Sequence, residues 1–265
     1  MYATSYHRAS SVEEALKLKG AHEEGRYLSG GMTLIATMKQ RLAAPSDLID
    51  LRHIPDLKGI SLEGRNVRIG AGTPHADVAG SSMLRAICPA ICELAGMIGD
   101  PHVRHMGTLG GSIANNDPAA DYPAAMLGLG ATIITDRRWI AADEFFVGLF
   151  ETALEEGEMV TAVTFEAPEK AGYAKFANPA SRYALTGVFV AKRAGGVRVA
   201  VTGAGGDGVF RHLSMEEALA SNWSPEAVAN AEVDPSDMLS DMHATGAYRA
   251  NLVRVMAKRA ILAAG

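Results

Sequence analysis

The sequence predicts an α+β protein in two parts, in which short strands and short helices mix along the chain. Three observations support this fold class. Apolar residues recur at helical spacing in some stretches and form short β-type runs in others. Glycine-rich turn signals separate pairs of these runs, as in antiparallel hairpins. A break at residues 168–172 divides the chain into a first part, 1–170, and a smaller second part, 171–265.

The beginning of the first part combines two helices with several short strands. Capping signals, apolar spacing and glycine or proline at the ends define each element. The predicted elements in chain order are a helix capped by Ser11 and Glu14 and ending near Gly20, a strand at 26–29, a helix from 34 to Pro45, a strand at 47–51, and a hairpin of strands at 60–62 and 67–69.

The rest of the first part contains helix starts, a polar stretch and two strands. Pro74 and Pro89 each suit the first residue of a helix. Residues 100–121 have little periodicity and many small or polar residues, so we expect a functional loop system there. The remaining predicted elements are a strand at 131–135, a helix capped by Asp143, and a strand at 159–165.

The second part is predicted to hold one hairpin and three helices. Strands at 185–192 and 197–202 flank the turn signal of Gly195 and Gly196. The predicted helices begin at a capping box of Ser214 and Glu217, at Ser224 with Pro225, and at about Gly246, the last being long.

Two glycine pairs carry the main functional signal: Gly30 and Gly31 after the strand at 26–29, and Gly110 and Gly111 in mid-chain. Because glycine has no β-carbon, backbone N–H groups there can approach a phosphate closely, and positive φ values are tolerated. The first pair also precedes a helix, whose amino-terminal N–H groups attract anions. We therefore expect bare backbone donors from two distant loops to meet around one pyrophosphate. For each pair alone, a plain turn is the alternative.

Composition and charge argue against several classes of protein. A net charge of −5 disfavours a nucleic-acid partner, and no apolar run reaches the roughly 18 residues of a membrane span. The amino-terminal residues lack a secretory pattern, so we expect a cytoplasmic protein. The two cysteines, Cys88 and Cys92, are too few to hold an iron–sulfur cluster and suit buried free thiols. The eight histidines are scattered along the chain, so no metal site is predicted. Neither glycine pair lies in a GxGxxG motif, which disfavours a Rossmann fold.

Five runs occur in order along the chain: SGGMTL at 29–34, DPHVR at 100–104, GTLGGS at 107–112, DPAAD at 117–121, and YR at 248–249. Together they resemble the FAD-binding medium subunit of molybdenum hydroxylases, the carbon monoxide dehydrogenase and xanthine dehydrogenase family, over nearly the whole chain. The resemblance implies a vanillyl-alcohol-oxidase (PCMH) type FAD-binding fold of two α/β subdomains. A smaller domain with an antiparallel sheet and helices would follow.

The resemblance implies FAD as the cofactor and no catalytic residue. The first glycine loop would wrap the pyrophosphate, with Thr33 adding a hydroxyl, and the second loop would form the opposite wall. The implied FAD-binding residues are Leu28, Ser29, Gly30, Gly31, Met32, Thr33, Leu34, Ile35, Thr108, Gly110, Gly111, Ser112, Asp121, Val160 and Lys175.

Three of these residues have ordinary structural alternatives. Asp121 would accept hydrogen bonds from a cofactor hydroxyl, or it is a solvated helix cap. Val160 would contact the flavin through its backbone, or it is a core residue of a strand. Lys175 would stabilise negative charge on a reduced flavin, or it is a surface lysine.

The sequence departs from the family pattern at two places. Met32 and Thr33 replace the frequent Gln-Ser, although Thr33 keeps a hydroxyl, and His105 stands where Asn is common. His105 suits a structural histidine and Arg104 a residue that holds its loop, while Tyr183 either approaches the flavin ring or lies at a hairpin edge.

The resemblance implies an electron-transfer subunit with two partners. A large subunit would oxidise the substrate at molybdenum, a small subunit would relay electrons through [2Fe-2S] clusters, and FAD here would pass them to an acceptor, in a dimer of heterotrimers. A self-sufficient FAD-dependent oxidase or reductase is the second hypothesis, and a non-catalytic assembly module with a degenerate flavin site is the third. The substrate and the terminal acceptor stay open.

Overall fold

A computed structural model describes all residues of the chain, 1–265. Its amino-terminal unit is a small parallel sheet. The strands lie in the order β1-β3-β2, with Ser5 opposite Asp47 and Arg26 opposite Leu48. The Ser11 side chain accepts a hydrogen bond from the Glu14 amide, so the predicted cap of α1 is confirmed. The elements are β1 (Ser5–Arg8), α1 (Val12–Ala21), β2 (Arg26–Leu28), α2 (Leu34–Lys39) and β3 (Asp47–Asp50), followed by a 3-10 turn (Pro55–Leu57).

The second unit is a five-stranded antiparallel sheet covered by helices. Its strand order is β4-β5-β10-β6-β7, and β8 with β9 forms a separate small hairpin. The elements are β4 (Ile60–Glu63), β5 (Asn66–Gly70), α3 (His75–Gly80), α4 (Ser82–Ile87), α5 (Pro89–Gly96), α6 (Pro101–Met106), α7 (Leu109–Asn115), α8 (Tyr122–Leu129), β6 (Thr132–Thr135), β7 (Trp139–Ala141), α9 (Ala142–Phe145), β8 (Phe146–Gly148), β9 (Glu151–Thr152) and β10 (Val160–Glu166).

The carboxy-terminal unit is a four-stranded antiparallel sheet, β11-β12-β13-β14, packed against a long helix. The predicted hairpin at Gly195 and Gly196 is confirmed as the β12–β13 turn. The elements are β11 (Lys170–Ala177), β12 (Ala184–Arg193), β13 (Gly196–Thr202), β14 (Phe210–Arg211), α10 (Leu213–Ser221), 3-10 turns (Pro225–Val228 and Pro235–Asp237) and α11 (Gly246–Ala264).

The largest apolar core lies between the second and third units. Helix α8 is buried on all its residues and packs on β12 and β13, where Gly128 faces the Phe189 ring. Cys88 and Cys92 are free and buried in the same core. The boundary predicted at 168–172 falls at the connection of β10 and β11, and the division into domains 1–170 and 171–265 stays a prediction.

Several local sequence predictions were wrong, among them the helix from 34 to Pro45, because α2 ends at Lys39. Residues 100–121 hold helices α6 and α7, capped by Asp100 and Thr108, rather than a loop system. Asp143 does not cap α9, because its carboxylate pairs with Arg198 and Arg211. Ser214 does not cap α10, because that helix begins at Leu213, with His212 at the cap position, and has no side-chain cap. In the last two cases, contacts or backbone geometry that a local pattern does not contain set the helix start.

The buried Asp50 makes the amino-terminal unit sensitive to acid. Burial by itself raises the pKa of Asp50, but hydrogen bonds from Arg52 and Tyr6 outweigh burial and hold the pKa at about 2, against an ordinary 3.8. A carboxylate with a lowered pKa stabilises the fold above its ordinary pKa and loses that effect as pH falls towards the folded value.

Asp50→Asn is therefore expected to flatten the loss of stability between about pH 4 and pH 2. Urea unfolding across this range measures the slope. The exposed Asp56→Asn serves as the control and should keep the wild-type slope. An equal slope in wild type and Asp50→Asn would contradict the assignment.

Candidate functional site

A cavity of about 950 Å³ opens where the two glycine pairs lie side by side. Strand β2 ends at Leu28 and delivers the first glycine loop, residues 28–35, to one wall. The turn between α6 and α7 delivers the second glycine loop, residues 107–112, to the facing wall. The Ser29 and Thr108 hydroxyl oxygens lie 2.9 Å apart and hydrogen-bond across the junction. The two stretches, distant in sequence, therefore form one site.

Gly30 permits the close approach of the two loops. A β-carbon on Gly30 would lie 2.1 Å from the Met106 carbonyl oxygen and 2.6 Å from Gly107 Cα. Gly31 has φ +70°, in the left-handed region that glycine adopts without strain. The first pair is thus required both for packing against the second loop and for its own backbone conformation.

The first glycine loop presents a run of free backbone donors. The N–H groups of residues 30–34 have no hydrogen-bond acceptor within the chain, and neither has the Thr33 hydroxyl, which lies at the cavity wall. Consecutive free N–H groups in a turn form a concave site for anions. Helix α2 has only six residues and ends well before Pro45. The donors themselves, rather than a long helix dipole, therefore make this wall suitable for a phosphate.

The amides of the second glycine loop are already engaged. Gly110 donates its N–H to the Ala71 carbonyl at 2.8 Å, and Gly111 donates to the Thr108 hydroxyl at 3.1 Å. Ser112 donates its N–H to the Thr108 carbonyl at 3.0 Å. The expectation of bare donors on both loops therefore holds only for the first loop, because the second is the capped first turn of α7. The second loop forms a close wall instead.

The two glycines of the second pair have different structural roles. A β-carbon on Gly110 would lie 2.4 Å from the Ala71 β-carbon, so Gly110 is needed for packing inside the protein. A β-carbon on Gly111 would touch only the Thr108 hydroxyl at 3.0 Å and then point across towards Ser29, whose β-carbon is 3.9 Å away. Gly111 therefore keeps open the space between the two loops.

All the FAD-binding residues expected from the sequence line this cavity except Ile35 and Lys175. Ile35 packs beneath the first loop, against the cluster of Leu28 and Met38. Val160 lines the cavity at the start of β10 and is nearly buried. The roles given to Val160 and Lys175 at the flavin stay predictions.

Asp121 is a buried charged group at the cavity wall and is neither solvated nor used as a side-chain cap. It accepts hydrogen bonds from the Tyr173 hydroxyl and from the Lys175 ammonium, the latter at 3.1 Å. Lys175 also donates to the Met97 carbonyl at 3.0 Å. Burial raises the pKa of Asp121, while the Lys175 charge and the Tyr173 hydrogen bond oppose that shift. The charge of Lys175 therefore acts on the cavity through Asp121.

The three residues left open by the sequence have defined positions. Arg104 donates to the Ile98 carbonyl at 2.9 Å and so holds the loop before α6, as expected for a loop-holding residue. The exposed His105 ring bonds the Pro101 carbonyl within α6. Tyr183 lines the cavity beside Arg182 and is 46% exposed, so the carboxy-terminal unit also contributes to the site.

Sequence reasoning missed His75, which lines the cavity as the first residue of α3. Its ring is buried, its Nδ1 has no hydrogen-bond partner, and it lies 5.4 Å from the Tyr122 ring, centroid to centroid. Burial, with a contribution from the Arg104 charge, lowers the pKa of His75 to about 4. The signal at Pro74 located the helix start, but nothing in it distinguished the histidine that follows.

His75 is expected to make the fold less stable as pH falls. Between about pH 6.5 and pH 4 the unfolded chain binds a proton that the folded chain does not. The free energy of unfolding therefore falls by up to about 1.4 kcal/mol per pH unit in this range. His75→Gln should remove this slope in thermal unfolding, whereas the exposed His102→Gln should keep it. A slope unchanged by His75→Gln would show that folding does not lower the pKa of His75.

The geometry defines a class of protein, one that binds a phosphate-bearing ligand through backbone amides. The free amides of residues 30–34 supply donors for its phosphates, and the space kept open by Gly111 would be filled by a side chain. The residues present therefore fit FAD.

Comparison with known proteins identifies the family. The family "FAD binding domain in molybdopterin dehydrogenase" matches residues 2–167. The carbon monoxide dehydrogenase medium chain of Afipia carboxidovorans is 38% identical and covers 97% of this chain and 94% of its own length. The nicotine 6-hydroxylase medium subunit of Paenarthrobacter nicotinovorans is 34% identical over 99% of this chain and 98% of its own length. The structure of reconstituted CO dehydrogenase from Oligotropha carboxidovorans superposes with a TM-score of 0.90 at 33% identity, covering 99% and 98% of the two chains.

The chain belongs to the FAD-binding medium-subunit family of the molybdenum hydroxylases. It is an FAD-dependent oxidoreductase subunit, with the α+β FAD-binding fold and the carboxy-terminal antiparallel sheet that the resemblance implied. None of its helices is both long and apolar enough to cross a membrane.

Proposed function

We propose that this chain passes electrons out of a molybdenum hydroxylase complex. A large partner subunit oxidises the substrate at a molybdenum cofactor, and a small partner subunit carries [2Fe-2S] clusters. This chain receives electrons from those clusters through its bound FAD and gives them to an external acceptor. The complex is a dimer of heterotrimers in the cytoplasm.

One observation carries the proposal: the row of unpartnered amides at residues 30–34, in a loop that lines the cavity beside the second glycine loop. Bound FAD supplies the redox chemistry, accepting and releasing electrons. The chain itself binds and orients the cofactor. The amides and the Thr33 hydroxyl hold the phosphates, and Gly111 leaves room for them. The ion pair between the buried Asp121 and Lys175 sets the charge of the cavity wall.

The carboxylates around the cavity support a division of labour between subunits. Each one accepts a hydrogen bond or forms an ion pair within the chain. The pairs are Asp121 with Tyr173 and Lys175, Glu158 with Arg138, Asp100 with the Val103 amide, and Asp117 with the Ala119 amide. Substrate chemistry on a separate subunit agrees with this set of contacts.

The relatives' names support multi-subunit assembly. They are called medium chains or medium subunits, of a carbon monoxide dehydrogenase and of a nicotine 6-hydroxylase, which implies a larger and a smaller companion. Because the chain matches these relatives over almost their whole length, we extend the same kind of assembly to it.

Purification of the tagged chain from its native host tests the proposal. We expect a yellow complex that contains two further chains, molybdenum and iron, and in which dithionite-reduced small subunit reduces the flavin of this chain. Substrate turnover by the isolated yellow chain would instead support a self-sufficient oxidase or reductase. A colourless chain would support an assembly module. Either of the last two results overturns the proposal.

A further inference from the structure

A second cluster of chemically active side chains lies in the amino-terminal unit, outside the cavity lining. His7, His22 and Asp47 each present one ligand atom, and the three atoms lie within 4.8 Å of one another. His7 Nε2 is 2.6 Å and His22 Nδ1 is 3.3 Å from the same Asp47 oxygen. The centroids of the two imidazole rings lie 4.6 Å apart, with the rings tilted by 32°.

Three separate elements bring these residues together. In the parallel β1–β3 pair, Ser5 lies opposite Asp47 and His7 opposite Ile49, so His7 and Asp47 share a face of the sheet. His22 is the residue that ends α1, which packs on β3. The residues are 15 and 25 positions apart in sequence, so no motif spacing reveals them.

The cluster is distinct from the FAD cavity. The first glycine loop leaves the sheet at the carboxyl end of β2, whereas Asp47 is the first residue of β3. Because β2 and β3 are parallel, these positions lie at opposite ends of the sheet. None of His7, His22 and Asp47 lines the cavity.

We propose that His7, His22 and Asp47 bind a divalent transition-metal ion of the zinc class, with water completing the coordination. Two imidazole nitrogens and one carboxylate oxygen form a ligand set that zinc accepts and that magnesium or calcium does not favour. The side chains of both histidines are partly exposed, at 26% and 33%, which leaves a path for the ion and its water.

The observed distances are close to those that a metal requires. Metal–ligand bonds of about 2.0–2.2 Å in a tetrahedral arrangement put neighbouring ligand atoms about 3.3 Å apart. His22 and Asp47 already have this separation, at 3.3 Å. His7 Nε2 lies closer to the same Asp47 oxygen, at 2.6 Å, so binding of the ion requires these two atoms to move apart by about 0.7 Å. The bound ion links three elements, namely β1, β3 and the end of α1, and so stabilises the amino-terminal unit.

Metal titration of the full chain, stripped with a chelator, tests the proposal. We expect one Zn²⁺ per chain, a raised Tm on Zn²⁺ addition, and visible absorption bands of four- or five-coordinate cobalt when Co²⁺ is used. His22→Gln should weaken Zn²⁺ binding by more than the roughly 10–100-fold that loss of an outer-sphere partner causes. His53→Gln, which alters a partly exposed histidine 4.0 Å from Asp50, is the matched control and should bind Zn²⁺ like wild type.

Two results would overturn the proposal. One is a wild-type chain that binds no stoichiometric Zn²⁺ or Co²⁺, which would leave the cluster as a hydrogen-bonded contact between elements. The other is equal binding by wild type and His22→Gln, which would place the metal elsewhere. The Co²⁺ spectrum of the folded wild type gives an answer even if a variant misfolds, and FAD content is independent of both outcomes.

Discussion

Replacing Gly111 with valine is expected to abolish FAD retention while the chain stays folded. The added side chain would start 3.0 Å from the Thr108 hydroxyl and extend towards Ser29, into the space between the two glycine loops. That space is where the FAD pyrophosphate must lie if the first loop supplies its donors. We expect an affinity loss of at least about 100-fold, or about 2.7 kcal/mol. The ratio of visible flavin absorbance to protein measures it.

Two further variants distinguish a loss of FAD caused by crowding of the site from a loss caused by unfolding. Gly111→Ala, which adds only the β-carbon, should fall between wild type and Gly111→Val. Gly96→Val is the control, because Gly96 also lies in a helix but nothing is within 4 Å of its added β-carbon. Stoichiometric flavin in folded Gly111→Val would mean that the second loop does not face the cofactor.

Replacing Arg249 with methionine is expected to destabilise the carboxy-terminal unit by about 3–5 kcal/mol. The Arg249 guanidinium is buried, with a side chain 3% exposed, and donates to the Leu185 and Gly203 carbonyls at 2.5 and 2.6 Å. It also pairs with Asp241 at 2.8 Å. Without it, the Leu185 and Gly203 carbonyls and the Asp241 carboxylate each lose a charged donor where α11 meets the ends of β12 and β13.

Guanidinium-induced unfolding followed by Trp223 fluorescence reports on this unit, since Trp223 packs against its core. Arg259→Met, on the exposed side of the same helix, is the control and should change the free energy of unfolding by less than about 0.5 kcal/mol. If both variants unfold alike, the buried hydrogen bonds of Arg249 contribute no special stability.

Local sequence patterns predicted an element correctly where the contact that forms it lies within a few residues. The Ser11 cap and the turn at Gly195 and Gly196 are examples, and both formed as predicted. The helices α6 and α7 were missed because they are short and lack apolar periodicity. Their signals were the capping residues Asp100 and Thr108, each of which accepts a hydrogen bond from an amide three residues on.

Long-range contacts explain what the sequence did not reveal in the site. The glycines of the first loop implied free donors, and those donors are free. The same reasoning failed for the second loop, because Gly111 and Ser112 donate to the capping residue Thr108 and Gly110 donates to the Ala71 carbonyl, from a segment far away in the chain. Asp121 likewise pairs with Tyr173 and Lys175, more than 50 positions later. No local pattern contains such partners.

Amide hydrogen exchange at residues 30–34 shows whether these N–H groups bind the FAD phosphates. The amides lack acceptors in the chain, and we expect the phosphates of bound FAD to become their acceptors. In the FAD-loaded protein their exchange should slow by about tenfold or more relative to the flavin-free protein, equivalent to at least 1.4 kcal/mol. The turn at Gly195 and Gly196 should exchange equally in both forms. Unchanged exchange at residues 30–34 in a protein with stoichiometric FAD would contradict the account.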